Sequence, residues 1–404
     1  MERFALLLVF KKMKDTMSNK TTEDKSFQTG GVITLSGGHA VHDTYSGFLA
    51  SLLPVFIDTL SLSKTEASLL MVFRQVPSML QPIIGHQSDR LNLWPLVILG
   101  PVVTGIAMGL LGVANGYGIL VALLVLAGLS GAAFHAVGPA MAGALSGSNL
   151  GRGMGVWMLC GELGRTVGPI LVVSVIGVWG MEGVPWLIPI GIVASFIMYV
   201  RMKGVMGKAR QVSQALPWRS ALKRMAPVMV PLSGIVFVRA FMMASLTMFL
   251  PTFLNEEGAS LWLAGASLSV LEGAGIAGAL LGGWVSDRLG RKQILGFSML
   301  LTPVFTFVFL SAEGWALFPI LAILGFVALS TGPVVMAMVQ ESCPENRAFA
   351  NGLYMGAGFA LRGVAMLLLG MMADAYGLRR AFEISAVLML IGAVLVFRLP
   401  GRSA

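Results

Sequence analysis

Long apolar runs separated by short polar breaks fill the chain from about residue 31 to residue 398. They lie at 31–58, 65–86, 94–113, 117–145, 153–179, 185–202, 225–254, 260–284, 292–311, 315–340, 347–373 and 380–398, numbered here as segments 1 to 12. About 20 consecutive apolar residues cross a bilayer as a helix. A membrane barrel would instead alternate polar and apolar positions over about ten residues. These runs are continuous and long, so the pattern predicts an all-α membrane protein with twelve transmembrane helices.

Composition supports that solvent. Of 404 residues, 56% are hydrophobic and 12% charged, about half of the roughly 25% charge of a soluble domain. Fifty glycines suit helices that pack closely through small residues. Cys160 and Cys343 stand far apart, one in an apolar segment and one in a loop. They exclude a disulfide framework and a CxxC metal pattern, so neither metal nor cofactor is expected. The net charge of +9 would suggest nucleic acid in a soluble domain. In a membrane chain it reflects loops facing an anionic lipid surface, and no nucleic-acid partner is expected. Residues 1–30 read as a cytoplasmic tail, because the apolar stretch Phe4 to Phe10 is too short to span and lacks a cleavage site.

Charge also sets orientation. The connection from Lys203 to Arg224 carries Lys203, Lys208, Arg210, Arg219, Lys223 and Arg224 and no acid, which places it in the cytoplasm. Both chain ends fall on that side, while the other side receives Lys64, Arg379 and Arg380. A bacterial inner-membrane protein with both termini cytoplasmic is the expectation. The chain also repeats at half its length. Gly85-x3-Asp89-Arg90 returns as Gly283-x3-Asp287-Arg288, Leu53-Pro54 as Leu250-Pro251, and Gly155…Arg165 as Gly352…Arg362. Three anchors at nearly one offset divide the chain into six-helix units at 31–203 and 225–398. A basic linker, 204–224, joins them, and 399–404 forms a second tail.

The break between segments 8 and 9 reads Gly283-Trp-Val-Ser-Asp287-Arg288-Leu-Gly290-Arg291-Lys292. It resembles the cytoplasmic loop motif of the major facilitator superfamily, whose fold is two pseudo-symmetric six-helix bundles. The first copy, Gly85 to Trp94, keeps Asp89 and Arg90 but loses the basic end. A carboxylate here can cap a neighbouring helix and pair with the arginine, which predicts a latch between the cytoplasmic ends of the two halves. Gly38-His39-x3-Asp43-x-Tyr45, Leu80-Gln81-Pro82-x-Ile84-Gly85 and Phe134-His135 are similar to the fosmidomycin-resistance type of facilitator. That resemblance implies drug export in exchange for protons. Ala136-Val137 depart from the Pro-Glu usual after Phe-His in that type. Segment 5 carries Gly155-x8-Gly164-x3-Gly168-Pro169, similar to the antiporter motif of drug-exporting facilitators. Val172 and Val173 replace its trailing glycines, and Val125 stands where such antiporters carry a helix-4 arginine.

Ionisable groups in mid-membrane cost about 2.5–3.5 kcal/mol each on insertion scales and mark function by default. They are His39, His42 and Asp43 in segment 1, Arg74 in segment 2, His135 in segment 4, Glu162 and Arg165 in segment 5, Arg239 in segment 7, Glu272 in segment 8 and Arg362 in segment 11. His39 and Asp43, four apart, share a helix face and either pass a proton or form a buried pair that fixes segment 1 against segment 4. His42, His135, Glu162 and Glu272 complete the proton-handling candidates. Tyr45, Arg74, Arg165, Arg239 and Arg362 are the substrate-binding candidates. In the facilitator fold segments 2 and 11, and 5 and 8, face each other, so Glu272 is expected to reach Arg165 as a gate or as a permanent bridge. The excess of arginine favours an anionic or zwitterionic cargo. Met242, Met243 and Met248 either fill the core or bind copper(I). The expected function is proton-coupled efflux of a small drug-like molecule by a monomer in the lipid bilayer. Proton-coupled uptake of a metabolite or copper is the alternative, and a membrane enzyme or sensor a third class without a matching motif.

Overall fold

The computed structural model describes residues 27–88, 91–147, 149–203, 218–343 and 347–399, and these are helical almost throughout, with no strand among them. The predicted Asp89–Arg90 pair, most of the linker (204–217) and both tails' outer parts (1–26, 400–404) lie outside the described residues. Twelve passes follow. Helix α1 runs Thr29–Ser46 and, after a break at Gly47, Phe48–Leu60. Helix α2 runs Lys64–Gln75, through a tighter turn, to Gln81–Ser88. Then come α3 (Trp94–Gly109), α4 (Tyr117–Leu145), α5 (Leu150–Trp179) and α6 (Ile188–Met202). The second half holds α7 (Trp218–Ala244, continued by a π-turn into Leu250–Glu256), α8 (Leu261–Leu289) and α9 (Arg291–Leu310). It ends with α10 (Leu317–Leu329 and Thr331–Ser342), α11 (Arg347–Tyr376) and α12 (Leu378–Val396).

Nine of these helices are long and apolar enough to cross a membrane by composition alone. The other three are interrupted or more polar: α1 is broken at Gly47 and carries two histidines and Asp43, α2 is broken after Gln75 and carries Lys64, Glu66 and Arg74, and α12 carries Arg379, Arg380 and Glu383. Hydrophobicity marked the membrane edge better than the helix end. Segment 8 was expected to stop at 284, yet α8 runs on through Asp287 and Arg288 to Leu289 and ends at Gly290, whose φ of 105° an L side chain rarely adopts. Likewise α7 begins at Trp218, inside the expected linker. Polar helix formers continue a helix into water once the membrane ends.

Within the first half α1 packs on α5, and α3 on α4 and α6; within the second, α7 packs on α11 and α12, and α8 on α10. The halves meet along α5–α8 and α2–α11, with the outer part of α1 against the end of α7. The near end of the molecule is the one bearing the described ends of the chain, at residues 27 and 399. At the far end the seam is closed by charge. Ser63 and Glu66 form a capping box at the start of α2. Asp374 of α11 reaches across to accept from Lys64 N (2.6 Å), Thr65 N (2.9 Å) and Thr65 Oγ1 (2.5 Å), and Lys64 pairs with Glu256. The first backbone donors of α2 are thus satisfied by both halves together. Further contacts, Gln75 Nε2 to Phe359 O (3.0 Å), Ile170 N to Ser269 Oγ (3.2 Å) and Trp262 Nε1 to Ser174 Oγ (3.1 Å), continue the seam from mid-helix to the far end. Near-end Gly155, Gly352 and Gly356 face open space.

Asp374→Ala removes all three cross-half hydrogen bonds and is expected to lower the thermal midpoint of the purified protein, by about 1–3 kcal/mol of stability. Asp374→Asn, which keeps one acceptor oxygen, recovers part of the loss. Equal midpoints for wild type and Asp374→Ala would show that the far-end seam does not depend on this carboxylate.

Candidate functional site

A cluster of four titratable side chains sits in the middle of the first half, and α1 builds it. His39, His42 and Asp43 are all buried there, at 4%, 1% and 2% exposure. Asp43 Oδ2 lies 3.3 Å from His39 Nε2, and Oδ1 lies 3.2 Å from His135 Nε2 of α4. Arg165 of α5 approaches Oδ2 at 3.9 Å and pairs with Glu162 one turn away. These are approaches of charge rather than aligned hydrogen bonds: Asp43 Oδ1, His39 Nε2 and His42 Nδ1 are buried without a hydrogen-bond partner.

Aromatic packing fixes the rings. His39 stacks on Trp157 of α5 at 3.9 Å between centroids, and His42 stacks on Phe134 of α4 at 4.3 Å. His135 stands edge-on to both imidazoles. His39 Nδ1 lies 2.9 Å from the Trp157 carbonyl oxygen. That oxygen can only accept, so Nδ1 carries a proton. In the neutral ring Nε2 then holds a lone pair, and it faces a carboxylate oxygen. Two acceptors held face to face call for a cation between them. His39, Asp43 and His135 bring three donor atoms within 4.8 Å of one another, a set that suits a proton and also the geometry of a metal ion, although the sequence pattern had pointed to no metal ligand.

Small residues of α5 make this approach possible. A Cβ on Gly161 would strike the His39 ring, one on Gly164 the Ala40 carbonyl, and one on Gly168 the Thr44 carbonyl. Pro169 has no N–H for the Arg165 carbonyl, and that oxygen instead lies against Gly47, where α1 breaks. Gly164, Gly168 and Pro169 were singled out in the sequence; Gly155 was too, but it faces open space. Trp157 and Gly161 were missed. The spacing 161, 164, 168 traces one helical face, which was the available signal for Gly161; nothing in the sequence marked the Trp157 carbonyl.

Other expectations change. Tyr45, expected at the substrate, is 1% exposed and joins α1 to α6, donating to Leu187 O (2.6 Å) and accepting from Gly191 N (2.9 Å). Both hydroxyl functions are thereby used in packing. Glu272 lies within electrostatic reach of Arg165, but the ion pairs of Arg165 are to Glu162 and Asp43, so the expected bridge to α8 is not closed. Arg74 is near Asp43 and Arg165 and forms no salt bridge with a described residue. Met242 and Met248 are fully buried, the former accepting from Thr306 Oγ1 at 3.5 Å, so these two fill the core of α7.

Among the described residues, the second copy of the loop motif ties together elements of the second half. Arg291 pairs with Asp287 (2.5 Å) and Glu341 (3.0 Å) and donates to Ser286 Oγ (2.5 Å), tying α8 and α9 to α10. Lys292 Nζ caps the end of α12 through the carbonyls of Phe397 and Leu399, at 2.9 and 3.0 Å. Arg288 lies over the Trp284 ring at 3.5 Å. In the first copy, Gly85 lies inside α2.

A family model described as the Major Facilitator Superfamily matches residues 35–290 and 273–404. The chain belongs to this superfamily. Membership makes it a membrane transporter of a small-molecule substrate rather than an enzyme. It is 25% identical over 391 residues to the fosmidomycin resistance protein of Escherichia coli K12, covering 94% of this chain and 95% of that one. It is 23% identical over 374 residues to the MFS-type transporter YfnC of Bacillus subtilis 168, with 90% of each covered. The fold superposes on a bacterial homologue of the human lysosomal transporter Spinster with a TM-score of 0.78 at 15% identity, covering 92% of this chain and 96% of that one. It also superposes on the nucleoside transporter NupG with a TM-score of 0.70 at 14% identity, covering 91% and 98%.

Gly161→Val adds atoms where the His39 ring stands and is expected to cost about 1–3 kcal/mol of stability, read as a lower thermal midpoint. Gly155→Val, in open space, leaves the midpoint unchanged. The same midpoint for both variants would mean that the close approach of α5 does not hold the imidazole.

Proposed function

We propose that this transporter is a proton-coupled efflux antiporter for a small anionic or zwitterionic molecule. The observation that carries the reading is Asp43, buried in mid-helix between two imidazoles and beside one guanidinium. With His39 Nδ1 committed to the Trp157 carbonyl, the Asp43–His39 contact is attractive when a proton sits on it and repulsive when none does. A proton there neutralises Asp43 and loosens its hold on Arg165. Arg165 lies on α5, which packs along the seam against α8, and Glu272 is the carboxylate within its reach on the other half. Proton occupancy of the first half thereby changes charge pairing at the seam, which is what a coupled transporter needs. His42 and His135 hold the geometry and offer the relay, and Glu162 anchors Arg165. In antiport, rearrangement is restricted to forms carrying either the proton or the cargo.

The similarity over most of both chains to a protein named for fosmidomycin resistance supports export of a drug-like molecule. The basic connection and ends support termini in the cytoplasm of a bacterial inner membrane. The far-end seam is then the periplasmic gate, closed here. The proton gradient supplies the energy, no cofactor takes part, and a single chain carries the whole cycle.

A second reading rests on the same arginine. A proton on Asp43 frees Arg165 for an anion, so proton and anion bind better together, as in symport, and that favours uptake. Everted vesicles separate the two. Vesicles acidified inside are expected to release protons when fosmidomycin is added, recorded by dequenching of a pH-gradient dye, and Asp43→Asn is expected to abolish the response. A strain expressing the protein is expected to tolerate several-fold more of the compound. Sensitisation of that strain would turn the reading to uptake. Transport that persists unchanged in Asp43→Asn, or without a proton gradient, would sink the coupling mechanism.

A further inference from the structure

The two halves divide their charges unequally. The arginines described in mid-membrane of the first half have acids nearby, since Arg165 pairs with Glu162 and Asp43, and Arg74 has Asp43 within electrostatic reach. In the second half Arg239 of α7 and Arg362 of α11 form no salt bridge with a described residue. Arg239 donates from Nη2 to the Ala328 carbonyl at 2.9 Å, and its Nε is buried without a partner. Arg362 lies over the Phe359 ring at 4.6 Å, and its Nε is likewise buried and unpartnered. The groups within electrostatic reach of both are each other and Tyr354, with Arg165 also near Arg362.

Such a pair is unfavourable as packing alone. Each guanidinium is costly in the membrane interior, like charges repel, and a buried donor left unmade is expensive. One anion placed between them offsets all three costs, and the planar guanidinium fork fits an oxyanion in a bidentate manner. A small cleft of about 10 Å³, the room of one water, lies between α7 and α11 beside them, lined by Met229, Leu232, Val236 and Leu361, with Ser233 and Tyr354 as its polar groups. Leu232, Val236 and Arg239 share one face of α7, and Tyr354, Gly358 and Leu361 lead along α11 to Arg362. Both helices enter this cleft from the near end.

We propose that Arg239 and Arg362 form the subsite for an oxyanion, a carboxylate or phosphonate, carried on a small molecule. The inference rests on the anionic-cargo part of the function above and is independent of its proton part. Anchoring the anion in the second half leaves Asp43 in the first half free to take protons.

The test titrates purified full-length protein in neutral detergent micelles with phenylphosphonate and follows thermal unfolding. A saturable rise in the melting midpoint is expected. The neutral dimethyl ester, with the same ring, is expected to give none. Arg239→Gln and Arg362→Gln are expected to raise the half-saturating concentration about tenfold, the loss of roughly one charge-assisted hydrogen bond. Arg239→Lys, which keeps the charge without the fork, falls between. An equal rise with the neutral ester, a rise unaltered in both glutamine variants, or no rise up to tens of millimolar overturns the proposal. So does a site already filled by phosphatidylglycerol doped into the micelles, since that assigns it to a lipid headgroup. The ester comparison uses wild-type protein and decides even if the variants fail to fold. No gradient is applied, so binding seen here without proton release in vesicles retains the subsite and rejects antiport, and the reverse pattern does the opposite.

Discussion

The close approach of α5 to α1 is the contact on which the first half depends. Three glycines on one face of α5 let the helices touch backbone to side chain, and in a membrane such approach gives packing that lipid-facing side chains cannot supply. Its consequences are chemical. It lays the Trp157 carbonyl on His39 and sets the protonated nitrogen of that ring. It carries Arg165 to the edge of Asp43. Move α5 outward by the width of one methyl group and the histidine loses its stack, its anchor and its orientation together.

The duplicated architecture makes the division of charge easier to understand. His42 and Arg239 occupy equivalent positions in the two halves, as do Arg165 and Arg362. Equivalent positions hold a titratable ring in one half and a permanent cation in the other. The first half places acids beside its arginines, while the second holds its arginines without a described carboxylate in ion-pairing contact. On the proposed function, the labile charge sits on one side of the axis and the fixed charge on the other, and Arg165 lies within electrostatic reach of Asp43, Glu272 and Arg362.

The seam between halves follows a similar economy. At the far end the exposed donors at the start of α2 are met partly by their own capping box and partly by Asp374 from the other half. An exposed ion pair contributes little, but backbone donors at a helix start must be met by water or protein. On the proposed function, closure exchanges one for the other at small net cost, which is what a gate that must reopen requires. The described contacts of the loop motif at the near end join α8, α9, α10 and α12.

Much of this was legible in the sequence, because its causes are local. Bilayer length and hydropathy yield the passes, the offset yields two halves, and the high cost of charge in lipid picks out His39, Asp43, His135, Arg165, Arg239 and Arg362 one by one. Helix ends were misjudged at Leu289 and Trp218 because hydropathy reports the membrane boundary and not where hydrogen bonding stops. What tertiary structure alone decided is which groups meet. Tyr45 was a substrate candidate as part of the motif with Gly38, His39 and Asp43, and only packing against α6 consumed its hydroxyl. Nothing in the sequence singled out Trp157, and only the register of α5 on α1 turned its carbonyl into the group that fixes His39. Sequence determines which charges enter the membrane, since that cost is paid residue by residue. Pairing depends on distances across helices, and those exist only once the helices have packed.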